Sequence, residues 1–312
     1  MKANTIVAAG VLGLLVSIAC ANVSAQSINT ENSSSTQSVP YASDLLERVR
    51  GAASMVPGEL AAAVNFAKVA ESHRTYAGII DGGADELFVS ARTAFQVVYP
   101  NGSIMIDSGM DEEVHRYYGF GRDEPYWQDA NDRVQQALQS AQMIIITHEH
   151  GDHVAGVIRS DLRDQLATKT VMTQHQVDTL ISAPQLPQIQ LTEQQASDYI
   201  VVDYEHIMPI APGVVLIKSP GHTQGHQMVY LQLASGEELL FIGDIGWSLD
   251  NITTLTLRPE ATIARIKEDP AALTHQMTWI KQVMDEEGVL VVPSHDDRLL
   301  TQFVEDGILG SF

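Results

Sequence analysis

The chain has 312 residues, of which 45% are hydrophobic, and a formal net charge of −21. That length can bury a large core, as one big α/β domain or two smaller ones. Such an acidic surface makes nucleic acid a poor partner.

The first residues read as an export signal. Lys2 supplies a positive start, Ile6 to Ala19 is an almost unbroken apolar run, and "VSA" before Gln26 is a small-x-small cleavage pattern. The run is too short to span a bilayer comfortably. Residues 1–25 are therefore expected to be a signal peptide cut after Ala25, sending the protein to the periplasm or outside the cell with no membrane association afterwards. The alternative is a lipoprotein anchored through Cys20, although Ser17 stands where a lipobox prefers Leu. Cys20 is the single cysteine, so the mature chain is expected to have no disulfide and no thiolate ligand. Any metal must then be held by His and carboxylate. Residues 26–40, "QSINTENSSSTQSVP", are polar without an apolar period and read as a flexible leader.

The remaining residues, 41–312, read as one catalytic domain. From Tyr41 to about His73 the pattern predicts two short helices broken near Pro57-Gly58. "ELFVSAR", "AFQVVY" and, after the "PNG" turn, "SIMID" read as a strand meander. "DRVQQALQSAQ" is helical, and so is Ala272 to Glu287. Four apolar runs each end in a metal-binding side chain: "MIIIT" at His148, "VVLIKSPG" at His222, "ELLFIG" at Asp244 and "VLVVPS" at His295. Buried strands carry such runs, and α/β sheets place function at strand ends.

The densest cluster is "HEHGDH". On an extended segment His148 and His150 point the same way; Gly151 lets the chain turn, and Asp152 and His153 follow. The helical zinc motif H-E-x-x-H does not fit, because Asp152 fills its fifth position. A structural zinc site closes with four ligands, whereas this larger set leaves room for water and substrate. Glu149, in a variable position, is expected to face solvent, and His226 is either a partner to the ligands or a structural histidine.

From about Glu86 to His295 the sequence resembles the metallo-β-lactamase superfamily. "THEHGDH" matches its signature, "IDSG" with Asp107 its early strand-to-turn motif, and "SPGHTQGH", "FIGD" and "VPSH" the later ligand segments. The resemblance implies an α/β fold, an αββα sandwich of two mixed β-sheets flanked by helices. It also implies two divalent ions per chain, one held by His148, His150 and His222, the other by Asp152, His153 and His295, with Asp244 bridging. Zn is the expected metal, and Fe, Mn or Co also suit these ligands. A hydroxide between the metals would attack the substrate, and Asp152 would pass the proton to the leaving group.

Within the superfamily, Asp244 argues against a true β-lactamase, "DDR" after His295 departs from glyoxalase II proteins, and the acidic charge suits no RNA-processing nuclease. "SPGHTQGHQMVYL" looks most like N-acyl homoserine lactonases and methyl-parathion-type hydrolases. Those lactonases commonly carry Tyr three residues beyond the bridging aspartate, where this chain has Trp247. The expected function is hydrolysis of an ester-like bond in a small molecule, a lactone or carboxylic ester. The alternatives are a β-lactamase-type amide hydrolase, or a phosphotriesterase or thioesterase of the same fold. A non-enzymatic binding protein would not need the complete ligand set. The aromatic stretch Tyr117 to Trp127 reads either as a pocket wall or as packing, and "WSLDNITTLTLRP" as a substrate-side loop.

Overall fold

The computed structural model describes residues 41–312. The expected signal peptide (1–25) and leader (26–40) lie outside the described residues. Among the described residues twelve strands form two sheets. In chain order the strands are β1 (Ala63–Thr75), β2 (Leu87–Tyr99), β3 (Gly102–Ile106), β4 (Met143–Ile145), β5 (Thr170–Thr173), β6 (Ile200–Val202), β7 (Ile207–Ala211), β8 (Val214–Lys218), β9 (Gln227–Gln232), β10 (Glu238–Gly243), β11 (Leu290–Pro293) and β12 (Gly310–Ser311). The seven-stranded sheet runs β12-β1-β2-β3-β4-β5-β6, the five-stranded sheet β11-β10-β9-β8-β7. Both are mixed: β1, β2 and β3 pair antiparallel, β3 to β6 parallel, and β10 pairs antiparallel with β9 but parallel with β11.

Three apolar layers hold the sandwich together. Phe66, Phe95, Ile106, Ile145, Leu216 and Phe241 fill the space between the sheets. Outside the seven-stranded sheet, Val134 and Leu138 of the helix Gln128–Ser140 and Val154 and Val157 of the helix Gly151–Ile158 pack onto Met105 and Ile144. Outside the other sheet, Leu45 and Val49 of the helix Leu45–Ala53 and Met277 and Ile280 of the helix Pro270–Glu287 cover Ile217 and Tyr230. The result is a helix–sheet–sheet–helix sandwich. None of the described helices is long and apolar enough to cross a membrane.

The N-terminal expectation needs correction. The first helix forms, but the segment after Pro57-Gly58 is the long strand β1. Its alanines look helical in isolation, yet Val64 and Phe66 face one core layer while Ala67 and Val69 face another. Burial on both faces outweighs local propensity there. "ELFVSAR" and "AFQVVY" fuse into the single strand β2. The helix expected from Ala272 starts at Pro270, because Asp269 accepts from the amides of Ala271 and Ala272 at 3.0 Å and Pro suits the first helical position.

Candidate metal centre

β4 leads through Ile146 and Thr147 to His148, and β3 leads directly to Asp107. Asp107 sits in the left-handed region with φ 59°, a conformation a non-glycine residue adopts only when its surroundings enforce it. Its carboxylate does enforce it. Asp107 Oδ1 accepts from the Thr147 amide at 2.7 Å, and Oδ2 takes the Thr147 hydroxyl at 2.8 Å and His153 Nδ1 at 2.7 Å.

The chain does not simply turn after Gly151. It enters a helix there, with His150 at the N-cap and Asp152 and His153 in the first turn. That helix lies against the "IDSG" turn so closely that a Cβ at Gly156 would stand 1.9 Å from the Ser108 carbonyl oxygen. The other sheet supplies the rest: β8 runs to His222, β10 to Asp244 and β11 to His295. The site thus draws on strand ends from both sheets.

All seven expected ligands converge, in two groups: His148, His150, His222 and Asp244, and Asp152, His153 and His295. In the first group His150 Nδ1 lies 2.9 Å from His222 Nε2, and Asp244 Oδ2 lies 3.4 Å from His222 Nε2 and 3.8 Å from His148 Nε2. In the second, His295 Nε2 and His153 Nε2 lie 3.6 and 3.8 Å from Asp152 Oδ2. Asp244 Oδ1 turns toward this group, 3.0 Å from His295 Nε2 and 3.2 Å from His153 Nε2. Asp244 Oδ2 also lies 3.2 Å from His295 Nε2, so the carboxylate stands between the two clusters. The residues fit cations: His148 Nε2, His153 Nε2 and Asp244 Oδ1 are buried without a hydrogen-bond partner, and buried polar atoms are rarely left so.

Electrostatics separates the clusters. Burial, with His153 and His222 nearby, holds His148 well below the ordinary histidine range. Burial and then His222 bring His150 down to about 3. Both shifts favour the neutral imidazole, the form that binds metal. For His153 burial acts downward, but Asp107, Asp244 and Asp152 outweigh it and hold the ring well above its usual value. Burial would raise the Asp152 carboxyl, yet Arg92, then His153 and His295, keep it below the ordinary carboxylate range.

A family model for the metallo-β-lactamase superfamily matches residues 89–295, well over half of the chain. The protein belongs to the metallo-β-lactamase superfamily. It is a metal-dependent hydrolase, and its two buried clusters are consistent with a dinuclear site. Solved structures share the fold at low identity. An N-acyl homoserine lactone hydrolase with the product N-hexanoyl-L-homoserine bound at its catalytic metal centre superposes with a TM-score of 0.61 at 16% identity, covering 78% of this chain and 96% of that one. A dizinc quorum-quenching lactonase gives 0.51 at 16% identity, covering 69% and 76%. A probable metal-dependent hydrolase from Staphylococcus aureus gives 0.60 at 14% identity, covering 77% and 91%.

Around this superfamily site stand residues the sequence did not single out. Arg92, from β2, donates to Asp152 Oδ2 at 2.8 Å and lies 3.3 Å from His295 Nδ1. Glu268 accepts from His222 Nδ1 at 2.6 Å and is itself paired with Arg258. Neither sits in a motif; only a buried charge in an otherwise apolar strand hinted at Arg92. Glu149 is not solvent-facing: it is buried and takes the Thr223 hydroxyl at 2.8 Å. His226 serves structure, with Nδ1 2.8 Å from Ser219 Oγ and Nε2 accepting from the Asp244 amide at 3.2 Å. The Trp247 indole donates to Asp244 Oδ2 at 2.8 Å. The aromatic stretch divides: the Asp152 amide donates to the Tyr118 hydroxyl at 3.3 Å, Tyr126 stacks on His115, and Tyr117 and Phe120 are exposed. "WSLDNITTLTLRP" contains a short helix, Leu249–Thr254, capped by Ser248.

Proposed function

We propose that the protein is an exported hydrolase of an ester-like bond, a lactone or carboxylic ester, working with two divalent ions per chain, Zn being the expected metal. His148, His150 and His222 would hold one ion, Asp152, His153 and His295 the other, and Asp244 both. The single observation that carries this reading is the Asp244 carboxylate, which stands between the clusters, 3.4 Å from His222 Nε2 on one side and 3.2 and 3.0 Å from His153 and His295 Nε2 on the other. The ester preference draws on that aspartate and on structural neighbours described as lactonases.

Bound metals would supply Lewis-acid polarisation of the substrate carbonyl and a water activated at neutral pH. The chain does the rest. Asp107 holds His153 through Nδ1, so that its Nε2 faces the second cluster, and Glu268 does the same for His222 on the first. Asp152, anchored by Arg92 and at the start of its helix, would take up the proton lost by the attacking water and hand it to the leaving alkoxide as the acyl C–O bond breaks.

The test is a substrate panel with metal-loaded protein: acyl lactones, aryl esters, phosphotriesters, thioesters and nitrocefin. Fastest turnover is expected on lactones or aryl esters; preference for nitrocefin, phosphotriesters or thioesters would replace the ester reading by one of its rivals. Export is checked by mass spectrometry of the secreted chain, with an N-terminus at Gln26 expected. An intact Met1 would overturn export, and a lipid-modified Cys20 would replace cleavage after Ala25 by lipid anchoring.

A further inference from the structure

Around the first cluster the side chains close into a ring that the ligand set alone does not require. Trp247 Nε1 donates to Asp244 Oδ2 at 2.8 Å. The Arg258 guanidinium lies over the same indole, 4.7 Å from its centroid. Arg258 grips Glu268 with two donors, Nε to Oε2 at 3.0 Å and Nη2 to Oε1, and gives Nη1 to the Ile245 carbonyl at 3.3 Å. Glu268 Oε1 takes His222 Nδ1 at 2.6 Å, and His222 Nε2 returns to within 3.4 Å of Asp244 Oδ2. Arg258 and Glu268 are 2% and 7% exposed.

We propose that Trp247 and Arg258 are positioning residues that hold Asp244 and His222 in metal-binding orientation, and that Trp247 does not polarise the substrate. The inference rests on the reading of Asp244 and His222 as ligands. An indole carries one N–H and no acceptor. Spent on Asp244, that hydrogen is not available to a substrate carbonyl. The donor fixes the carboxylate's rotation, so that it stays aimed between the two clusters. The cation under the indole fixes the ring in turn, and its fork on Glu268 orients the His222 imidazole. One buried guanidinium thereby ties two ligands from different strand ends, β8 and β10, into a single unit.

The experiment strips metal from the full mature chain and titrates it with Zn²⁺ against a chromophoric chelator, and with Co²⁺ by visible absorption. Wild type binding two ions supports the dinuclear reading, and wild type binding none overturns that reading together with the inference. Given two ions in wild type, Trp247→Phe should weaken one of them about tenfold or more and change the Co²⁺ spectrum. Its loss of kcat/KM should be the same for reactive and unreactive carbonyls. Arg258→Lys, which keeps the charge but loses the fork, should weaken the same ion by a smaller factor. Unchanged affinity and spectrum in Trp247→Phe, with activity lost selectively on unreactive carbonyls, would make Trp247 a carbonyl polariser and overturn the proposal. If Trp247→Phe does not fold, the wild type decides: Zn²⁺ should shift one of the three tryptophan indole N–H resonances. Three unmoved resonances would also overturn it.

Discussion

In the first cluster three imidazoles group with Asp244, and the carboxylate behind His222, Glu268, comes from the segment just before the helix Pro270–Glu287. In the second cluster a carboxylate and two imidazoles stand near Asp244 Oδ1, backed by Asp107 at the end of β3 and by Arg92 within β2. The supports of the second cluster are therefore built into the seven-stranded sheet, while the first depends on a distant loop brought in by Arg258. The charge behind each differs as well. Glu268 is neutralised by Arg258, whereas Arg92 places a cation directly on the ligand Asp152. Two cation sites with similar ligands can thus differ in rigidity and charge through what stands behind the ligands.

The strongest way to break this comparison is to remove what the clusters share. Asp244→Ala takes an oxygen from both and leaves the cationic partners of a buried anion unpaired. Metal content should fall from two ions to one or none, with kcat/KM down about a thousandfold, of the order seen when a stabilising group is lost from an active site. Elemental analysis and kinetics on the same sample check both. Two retained ions with full activity would end the idea that Asp244 serves both clusters.

Next in size is Asp152→Asn. As a ligand only, it should weaken the second ion, and excess metal should restore the rate. As a proton carrier too, it should leave a defect of about a hundredfold at saturating metal. That residual defect should be large for alkyl lactones and shrink for aryl esters, whose phenolates leave without help. Equal defects on both, with occupancy confirmed, would reduce Asp152 to a ligand.

A paired exchange sharpens the contrast between supports. Glu268→Gln and Asp107→Asn each replace the acceptor behind one imidazole, and each should cost about ten- to a hundredfold in the affinity of a single ion. They should differ in stability, Glu268→Gln losing more, about 3–5 kcal/mol, because it leaves the buried Arg258 guanidinium without its anionic partner. Asp107 also takes the Thr147 amide and hydroxyl at a strained backbone position, so Asp107→Asn should lose about 1.5–3 kcal/mol from weakened charged hydrogen bonds. Thermal unfolding of the metal-free variants reads this directly, and equal melting temperatures would contradict it.

Much of this centre was legible in the sequence because strand ends advertise themselves. An apolar run followed at once by His or Asp, as at His148, Asp244 and His295, states both the burial and the chemistry. The supports were harder to read for a physical reason. Glu268 lies forty-six positions from His222, and a contact made by folding leaves no local period. Arg92 sits in β2, whose remaining pattern reports only burial. β1 was misread as helix because strand burial on both faces erases the two-residue alternation that marks a strand. Gly151, read as a turn signal, instead opens the helix Gly151–Ile158 and packs closely against Tyr118, Val114 and Leu186.

The smallest expected effect belongs to Glu149, which lies between His148 and His150 yet turns away from both clusters. Its Oε2 accepts from Thr223 Oγ1, next to His222, and burial raises its carboxyl above the ordinary range. Glu149→Gln keeps a carbonyl acceptor for Thr223 and removes only a charge that burial already disfavours. Metal content should stay at two, and kcat/KM should change by no more than about threefold, as for substitutions that leave hydrogen bonds satisfied. Glu149→Ala is different, since it strands the Thr223 hydroxyl and opens space beside Gly225, three residues beyond His222. The first cluster should then lose affinity while the second keeps its ion. If Glu149→Gln instead lowers the affinity of either ion as much as Glu268→Gln does, the carboxylate is electrostatically part of the centre, and the first cluster has two buried anions behind it rather than one.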